Sequence, residues 1–464
     1  MNSLTNGSTL EDASGPVAHF RDRQAPDCSA CLRPSRAAAA VIAEAKPRFA
    51  WKTAALCVLG FVLVLYNGVN LLLMIALTPK NDFGRTFFSA VAFVHGEEMY
   101  GRNPSIPWKL EDGSTIDLWN LNPPHFHLLL LPLVWLPTGA ALVLWLLANG
   151  VCGYYALRMI VREAQLTFTP QQRQLALIGL LGFIGTASAL VTGHMAFLLF
   201  GMVTLSWHAA RHERWTTSGI WLGLALSVKP FLLFLVPYFL WRRQWRATAA
   251  LAGTVLLCVA AGFAVFGVES HRAWLHMLHV ADNWAWLPMN ASVTAFLTRT
   301  FTTNPLFTPL GVATPNLIRT LWLCIGIPIG LLTYAVAFKD PSRRGVDRAF
   351  ALMLIAALLL SPLGWAYYFW LPIGPLAVLW ADWRRGTDGE TACPAWTRRL
   401  FKLALIGLMY PLWCIGLGQP LRLGTALIAS LYFWGLLLVW LALLIDGSRL
   451  YFRSRPLLAA RTTA

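Results

Sequence analysis

The chain is 464 residues long, 57% hydrophobic and only 12% charged, whereas a soluble domain carries about 25% charged residues. A soluble protein could not cover this much apolar surface, and the mean hydropathy of +0.56 places the chain among membrane proteins. The formal net charge of +16 does not point to nucleic acid, because the basic residues fall in short clusters between apolar runs, as they do in cytoplasmic loops.

Residues 1–50 contain no apolar core of a signal peptide and read as a disordered cytoplasmic tail. Cys28-Ser-Ala-Cys31 in that tail is a lone CxxC, which without a second pair does not define a zinc site. Trp51–Leu77 is the first run long enough to span a bilayer, which takes roughly 20 residues, and it would act as an uncleaved anchor. Asp82 follows it directly in Asn81-Asp82-Phe83-Gly84-Arg85, ahead of an amphipathic segment, Phe87–Tyr100. A carboxylate at that point fits either an acid–base group at the membrane surface or a cap on a helix beginning at Phe83. Glu97 and Glu98 read as solvated.

Apolar runs predict helices near 52–77, 139–160, 174–191, 195–210, 247–267, 317–338, 347–362, 366–381, 400–417 and 424–445. Two shorter runs, 217–228 and 231–241, are split at Lys229-Pro230 and read as a broken or re-entrant pair. The expectation is therefore an all-α polytopic membrane protein of about 12 transmembrane helices. Pro124–Pro137 is a further short element, at the outer surface or dipping in.

The clusters Arg211/Arg214, Arg242/Arg243/Arg246, Lys339/Arg343/Arg344/Arg348, Arg384/Arg385/Arg398/Arg399 and Arg449/Arg453/Arg455 fall on one side of this helix order. That side reads as cytoplasmic, with both termini. The loops 81–138 and 268–316 then face outward, and the first carries Asp82, Glu97, Glu98, Glu111, Asp112 and Asp117. In the second, Arg272, His276, His279 and Asn283 share one helical face opposite Trp274, Met277 and Leu278, the pattern of an interfacial helix. The domain reading is a tail over 1–50, a membrane domain over 51–446 and a basic tail over 447–464.

Lys229 is the sharpest polar residue inside the apolar runs. A Lys at the centre of a membrane helix costs roughly 2.5–3.5 kcal/mol on insertion scales, so it needs a cavity and an anionic partner. A phosphate suits it as well as a structural carboxylate does. His194, after Gly193, is either a structural histidine or a substrate contact. Asn290, Ser292 and Arg299 follow the interfacial helix, and Arg299 could hold a donor phosphate or an anionic lipid. Tyr367 and Tyr368 read first as interface-belt aromatics.

Together these segments resemble glycosyltransferase family 87, the polyprenyl-phosphate-mannose-dependent mannosyltransferases of the GT-C class, over roughly residues 50–440. The blocks that carry the resemblance are Asn81-Asp82-Phe83 with Gly96 and Tyr100, Asn122-Pro123-Pro124, Leu131-Pro132-Leu133 with Leu136-Pro137, Gly193-His194, Gly223 through Lys229-Pro230 into Trp241-Arg242-Arg243, Asn290-Ala291-Ser292 with Arg299, and Ser361-Pro362 with Trp365. His194 stands where the family commonly has Gln, and Ala366-Tyr367-Tyr368 where many members have Asp-His-His.

The resemblance implies a GT-C-like membrane enzyme that moves a hexose, mannose first, from a polyprenyl-phosphate sugar to a hydroxyl of a glycan or glycolipid. Transfer would invert the anomeric carbon on the outer face of the cell inner membrane. Asp82 would be the general base, Lys229 and Arg299 the donor-phosphate ligands, and His194, Asn290, Ser292, Tyr367 and Tyr368 substrate contacts. The leaving phosphate is already anionic, so neither a metal nor a cofactor is called for. The alternatives are a transporter or flippase of a lipid-linked or anionic solute, using Lys229 as counter-ion, and an inactive accessory subunit with Asp82 structural. The lack of an internal repeat weighs against the transporter.

Overall fold

The computed structural model describes residues 36–78, 81–100, 108–109, 115–116, 120–279, 284–386, 394–409 and 422–462. The chain divides into two compact units, Met1–Ala55 and Leu56–Ala464; the second holds everything below except the opening turns of the first helix. Cys28, Cys31, Glu111, Asp112, Asp117, Asn283 and residues 410–417 of the expected helix 400–417 lie outside the described residues.

Helix α1 (Arg36–Ala76) contains a spanning stretch, Ala54–Ala76, whose Val58, Phe61, Leu65 and Leu72 stay exposed, as lipid-facing side chains do. Helix α2 (Asp82–Val94) follows at once. It starts one residue before the helix expected at Phe83, because Asn81 rather than Asp82 supplies the cap. A two-residue ribbon, β1 (Trp108–Lys109) with β2 (Thr115–Ile116), lies in the loop. The expected short element resolves into two 3-10 turns, Pro124–Leu129 and Leu131–Leu133, each with a proline in its first two residues that cannot donate to a longer helix.

Helix α3 (Thr138–Glu163) is a full span. Helices α4 (Pro170–Gly182) and α5 (Ile184–Thr192) meet at a 49° bend and together make one further candidate. Helix α6 (Ala196–Arg211) is only 16 residues and largely buried. The break expected at Lys229-Pro230 is present: α7 (Trp215–Val228) stops there, a 3-10 turn (Pro230–Leu235) follows, and α8 (Val236–Trp241) completes the pair. The extended backbone of Lys229 is what a following proline demands.

Helix α9 (Trp245–Leu278) packs backbone to backbone against α7. A Cβ on Gly219 would lie 2.2 Å from the Ala247 carbonyl oxygen, and one on Gly223 2.8 Å from that of Leu251, so only glycines allow this approach. Past Gly267, whose φ of 72° interrupts the helix, α9 continues as the segment expected to be interfacial.

Helices α10 (Val293–Phe301), α11 (Pro315–Ala337) and α12 (Arg343–Leu360) follow. Every residue of α12 from Gly345 to Leu359 is buried, the paired Asp347 and Arg348 included, so this helix forms the centre of the bundle rather than a lipid-facing wall. The expected helix 366–381 opens as a 3-10 turn, Ala366–Trp370, before α13 (Ile373–Arg385). Then come α14 (Ala395–Leu408), α15 (Arg422–Leu427) and α16 (Leu431–Thr462).

The protein is thus a helical, multi-pass membrane protein. Among the described residues, five helices are long and apolar enough to cross a bilayer, six with the bent pair, against the expected count of about twelve. The difference has a physical source. The apolar runs at α6, α7, α8 and 366–381 are short or broken, and α6 and 366–381 bury most of their surface against protein.

Candidate functional site

The site begins where α1 hands over to α2. The Asn81 side chain accepts a hydrogen bond from the Gly84 amide (2.7 Å) and donates to the Met74 carbonyl (2.8 Å), which caps α2 and ties it to α1. The Asp82 carboxylate is therefore not needed as a cap. Its Oδ1 receives Arg85 Nη1 at 3.2 Å, and its side chain remains 25% exposed. Burial raises its pKa above the ordinary carboxylate value, while the charges of Arg85 and then Lys229 pull it back.

Lys229 stands at the end of α7, and its Nζ donates to Asn122 Oδ1 at 2.8 Å. The same ammonium lies 5.9 Å from the centre of the Tyr368 ring, within reach of its π face. Tyr368 turns its hydroxyl toward His194 Nε2 at 3.5 Å, and the His194 ring stacks on Tyr367 with centroids 3.8 Å apart. The fields of Asp82 and Arg85 reach Tyr367, and that of Asp82 also reaches Tyr368. Five of the expected residues, Asp82, Lys229, His194, Tyr367 and Tyr368, thus form one cluster of a carboxylate, a cation and an aromatic wall.

Asn122, whose importance the sequence reading did not single out, holds the cation. Its carbonyl accepts the Tyr100 hydroxyl (2.5 Å), and its amide donates to Asn120 Oδ1 (3.0 Å). Asn120 in turn donates to Ser89 of α2 (2.9 Å) and reaches His127 Nε2 (2.8 Å). The other His127 nitrogen faces the Pro123 and Pro124 carbonyls, so it carries the proton and Nε2 accepts. Burial lowers the His127 pKa to about 4, which keeps this ring neutral at physiological pH. The Asn122-Pro123-Pro124 block and Tyr100 were the signals of this network in the sequence.

Asn290, Ser292 and Arg299 do not join the cluster. Asn290 donates to the Ala285 and Pro362 carbonyls and accepts from the Gly364 and Ser292 amides, which uses both ends of its amide. Ser292 caps α10 through the Ala295 amide and donates to the Pro362 carbonyl. Arg299, 0% exposed, donates to the Leu287 and Asn290 carbonyls (2.9 Å each) and to Ser430 Oγ. These side chains were expected at donor or substrate. Instead they clamp 285–292 onto 362–366, just before Tyr367, because buried backbone carbonyls there require donors.

Asn290→Ala should strip partners from three buried backbone groups, the Ala285 carbonyl and the Gly364 and Ser292 amides, at about 1–3 kcal/mol for each left unsatisfied. A lowered midpoint of thermal unfolding in detergent would show it, and an unchanged midpoint would remove the clamp from the account.

Residues 120–363 match the model of glycosyltransferase family 87. Over 270 residues the chain is 26% identical to a polyprenol-phosphate-mannose-dependent alpha-(1-2)-phosphatidylinositol pentamannoside mannosyltransferase of Mycolicibacterium smegmatis, covering 55% of this chain and 62% of that protein. Over 217 residues it is 27% identical to an alpha-(1->3)-arabinofuranosyltransferase of Mycobacterium tuberculosis, 46% of each chain. The chain therefore spans less than two thirds of the length of these relatives. Asn122, His194, Lys229, Asn290, Ser292 and Arg299 lie within the family match; Asp82, Tyr367 and Tyr368 lie outside it.

Proposed function

We propose, because this chain belongs to glycosyltransferase family 87, that it transfers a sugar from a polyprenyl-phosphate donor to a hydroxyl of a glycan or glycolipid. The observation that carries the reading is the base and cation set against one aromatic wall. Asp82 lies within the field of Lys229, with Tyr368 beneath the cation and His194 stacked on Tyr367.

Asp82 takes the proton of the acceptor hydroxyl. The hydroxyl oxygen attacks the anomeric carbon as the bond to the donor phosphate oxygen breaks, and one displacement inverts the centre. Negative charge collects on the leaving phosphate, and Lys229 Nζ, released from Asn122, meets it. The rings of His194, Tyr367 and Tyr368 offer the sugar an apolar face. Asn290, Ser292 and Arg299 act on substrate only through the turn they hold. None of these steps draws on a metal or a cofactor.

Mannose is the first donor sugar to try, since the Mycolicibacterium relative is named for polyprenol-phosphate-mannose, and arabinofuranose is the second. Purified protein in liposomes, given each labelled lipid-phosphate sugar and a glycolipid extract, should yield a labelled glycolipid with one of them. Export of intact donor without transfer would support the transporter reading, which the matched relatives do not favour.

The proposed setting is a membrane domain over 51–446 between a tail over 1–50 and one over 447–464, in the cell inner membrane with both termini cytoplasmic and the site facing outward. In a background without native cysteines, Glu98→Cys and Glu213→Cys, both at exposed positions, should label from opposite sides of the membrane. Labelling of both from one side would sink this orientation.

A further inference from the structure

The end of α6 away from His194 carries a second group of side chains that transfer does not use. The helix is 16 residues long, so its two ends lie about 22 Å apart at about 1.5 Å per residue. Glu163, from the last turn of α3, meets His208 and His212, one turn apart on the same face of the α6 end. Glu163 Oε1 lies 3.1 Å from His208 Nδ1 and 3.0 Å from His212 Nε2. One ligand atom from each of the three residues falls within 4.8 Å of the others.

Two features separate this group from an ordinary ion pair. His208 Nδ1 is 3.1 Å from the carboxylate, yet it has no hydrogen-bond partner among the described residues, so it does not aim at that oxygen. Ligand atoms around one metal behave in this way. At metal–ligand lengths of about 2.0–2.1 Å, tetrahedral neighbours sit roughly 3.3 Å apart and point at a common centre.

The second feature is charge. Arg211 Nε holds Glu163 Oε2 at 3.1 Å, but its Nη1 is bonded to Asp347, 0% exposed and also bound by Trp207 Nε1. Asp347 balances Arg211, so the negative charge of Glu163 is left facing two imidazoles. Arg211 thereby fixes the carboxylate with Oε1 toward the histidines, as an outer-shell partner does. Arg214 approaches the opposite edge of His208, Nε2, at 3.5 Å. Helix α6 ends at Arg211 with His212 as its cap, and Glu213 turns the chain away at φ 59°.

We propose that Glu163, His208 and His212 bind one divalent transition metal of the zinc type, joining α3 to α6 at the end opposite the transfer site. Two imidazoles and a carboxylate supply three ligands, and water completes the fourth position beside His212, the most exposed of the three at 32%. Binding displaces any protons the imidazoles carry.

The test uses the full chain with a non-histidine tag and Cys28→Ser/Cys31→Ser, so that no tag or thiol pair competes. Protein stripped with EDTA is titrated with Co2+, followed by visible absorption, and with Zn2+ against a chromophoric chelator. One equivalent of each is expected. His212→Asn or Glu163→Gln should weaken Zn2+ by more than the roughly 10–100-fold that loss of an outer-shell partner costs. His276→Ala/His279→Ala should change nothing. Absence of stoichiometric binding by the parent, or undiminished binding by both single variants, would overturn the proposal. Glu163→Gln keeps side-chain volume, and gel filtration reports that both variants remain folded.

Discussion

Asp82→Asn should lower sugar transfer by about 10²–10⁴-fold, the range a positioned general base contributes. The substitution keeps the shape of the side chain and removes only its basicity. Because Asn81 carries the cap of α2, the variant should fold and insert normally. Glu97→Gln and Glu98→Gln should have mild effects by comparison. The pH profile gives a second reading. Burial raises the Asp82 pKa, so activity is present above that raised value and lost as pH falls through it. Arg85 is the larger of the two charges that pull the pKa back, so Arg85→Gln should move the acid limb of kcat/KM to higher pH. A near-normal turnover in Asp82→Asn would make the carboxylate structural and direct the search for a base to His194.

Lys229→Met should cost roughly 10²–10³ in kcat, the scale of losing one preorganised group at a developing negative charge. The loss should sit in kcat more than in KM for the donor, because the phosphate gains charge as the bond breaks. Asn122→Ala leaves the ammonium in place and removes only its 2.8 Å partner, so it should cost less. If Lys229→Met matched the parent with every lipid-phosphate sugar tried, the leaving group would have to be met by another cation, with Arg85 next in line.

Much of the architecture could be read from the residues themselves. The break at Lys229-Pro230 follows from proline chemistry, and the start of α2 beside Asp82 follows from the end of the first apolar run. The assembly of the cluster could not be read. Lys229 and Asn122 are 107 residues apart, and only the packing of α7 against its neighbours brings them within 2.8 Å. Asn290, Ser292 and Arg299 misled for a related reason. A conspicuous polar residue in an outer loop looks the same in sequence whether it serves a ligand or a buried carbonyl, and here the carbonyls took it. The span count failed where apolar composition signals burial without saying whether lipid or protein provides it. Helix α12 and the short α6 are buried by protein.

The contact between Gly219 of α7 and the Ala247 carbonyl bears on how genetic screens of this protein should be read. A methyl group there would meet a backbone oxygen at 2.2 Å, so even alanine must push two helices apart. Because Lys229 ends the same helix, the displacement would travel to the ammonium without any change in its chemistry. A survey scored by growth or product alone would rank position 219 beside Asp82 and credit it with a role in transfer. Counting protein in the membrane alongside product separates the two, since loss at Gly219 should lower abundance while loss at Asp82 should leave it unchanged.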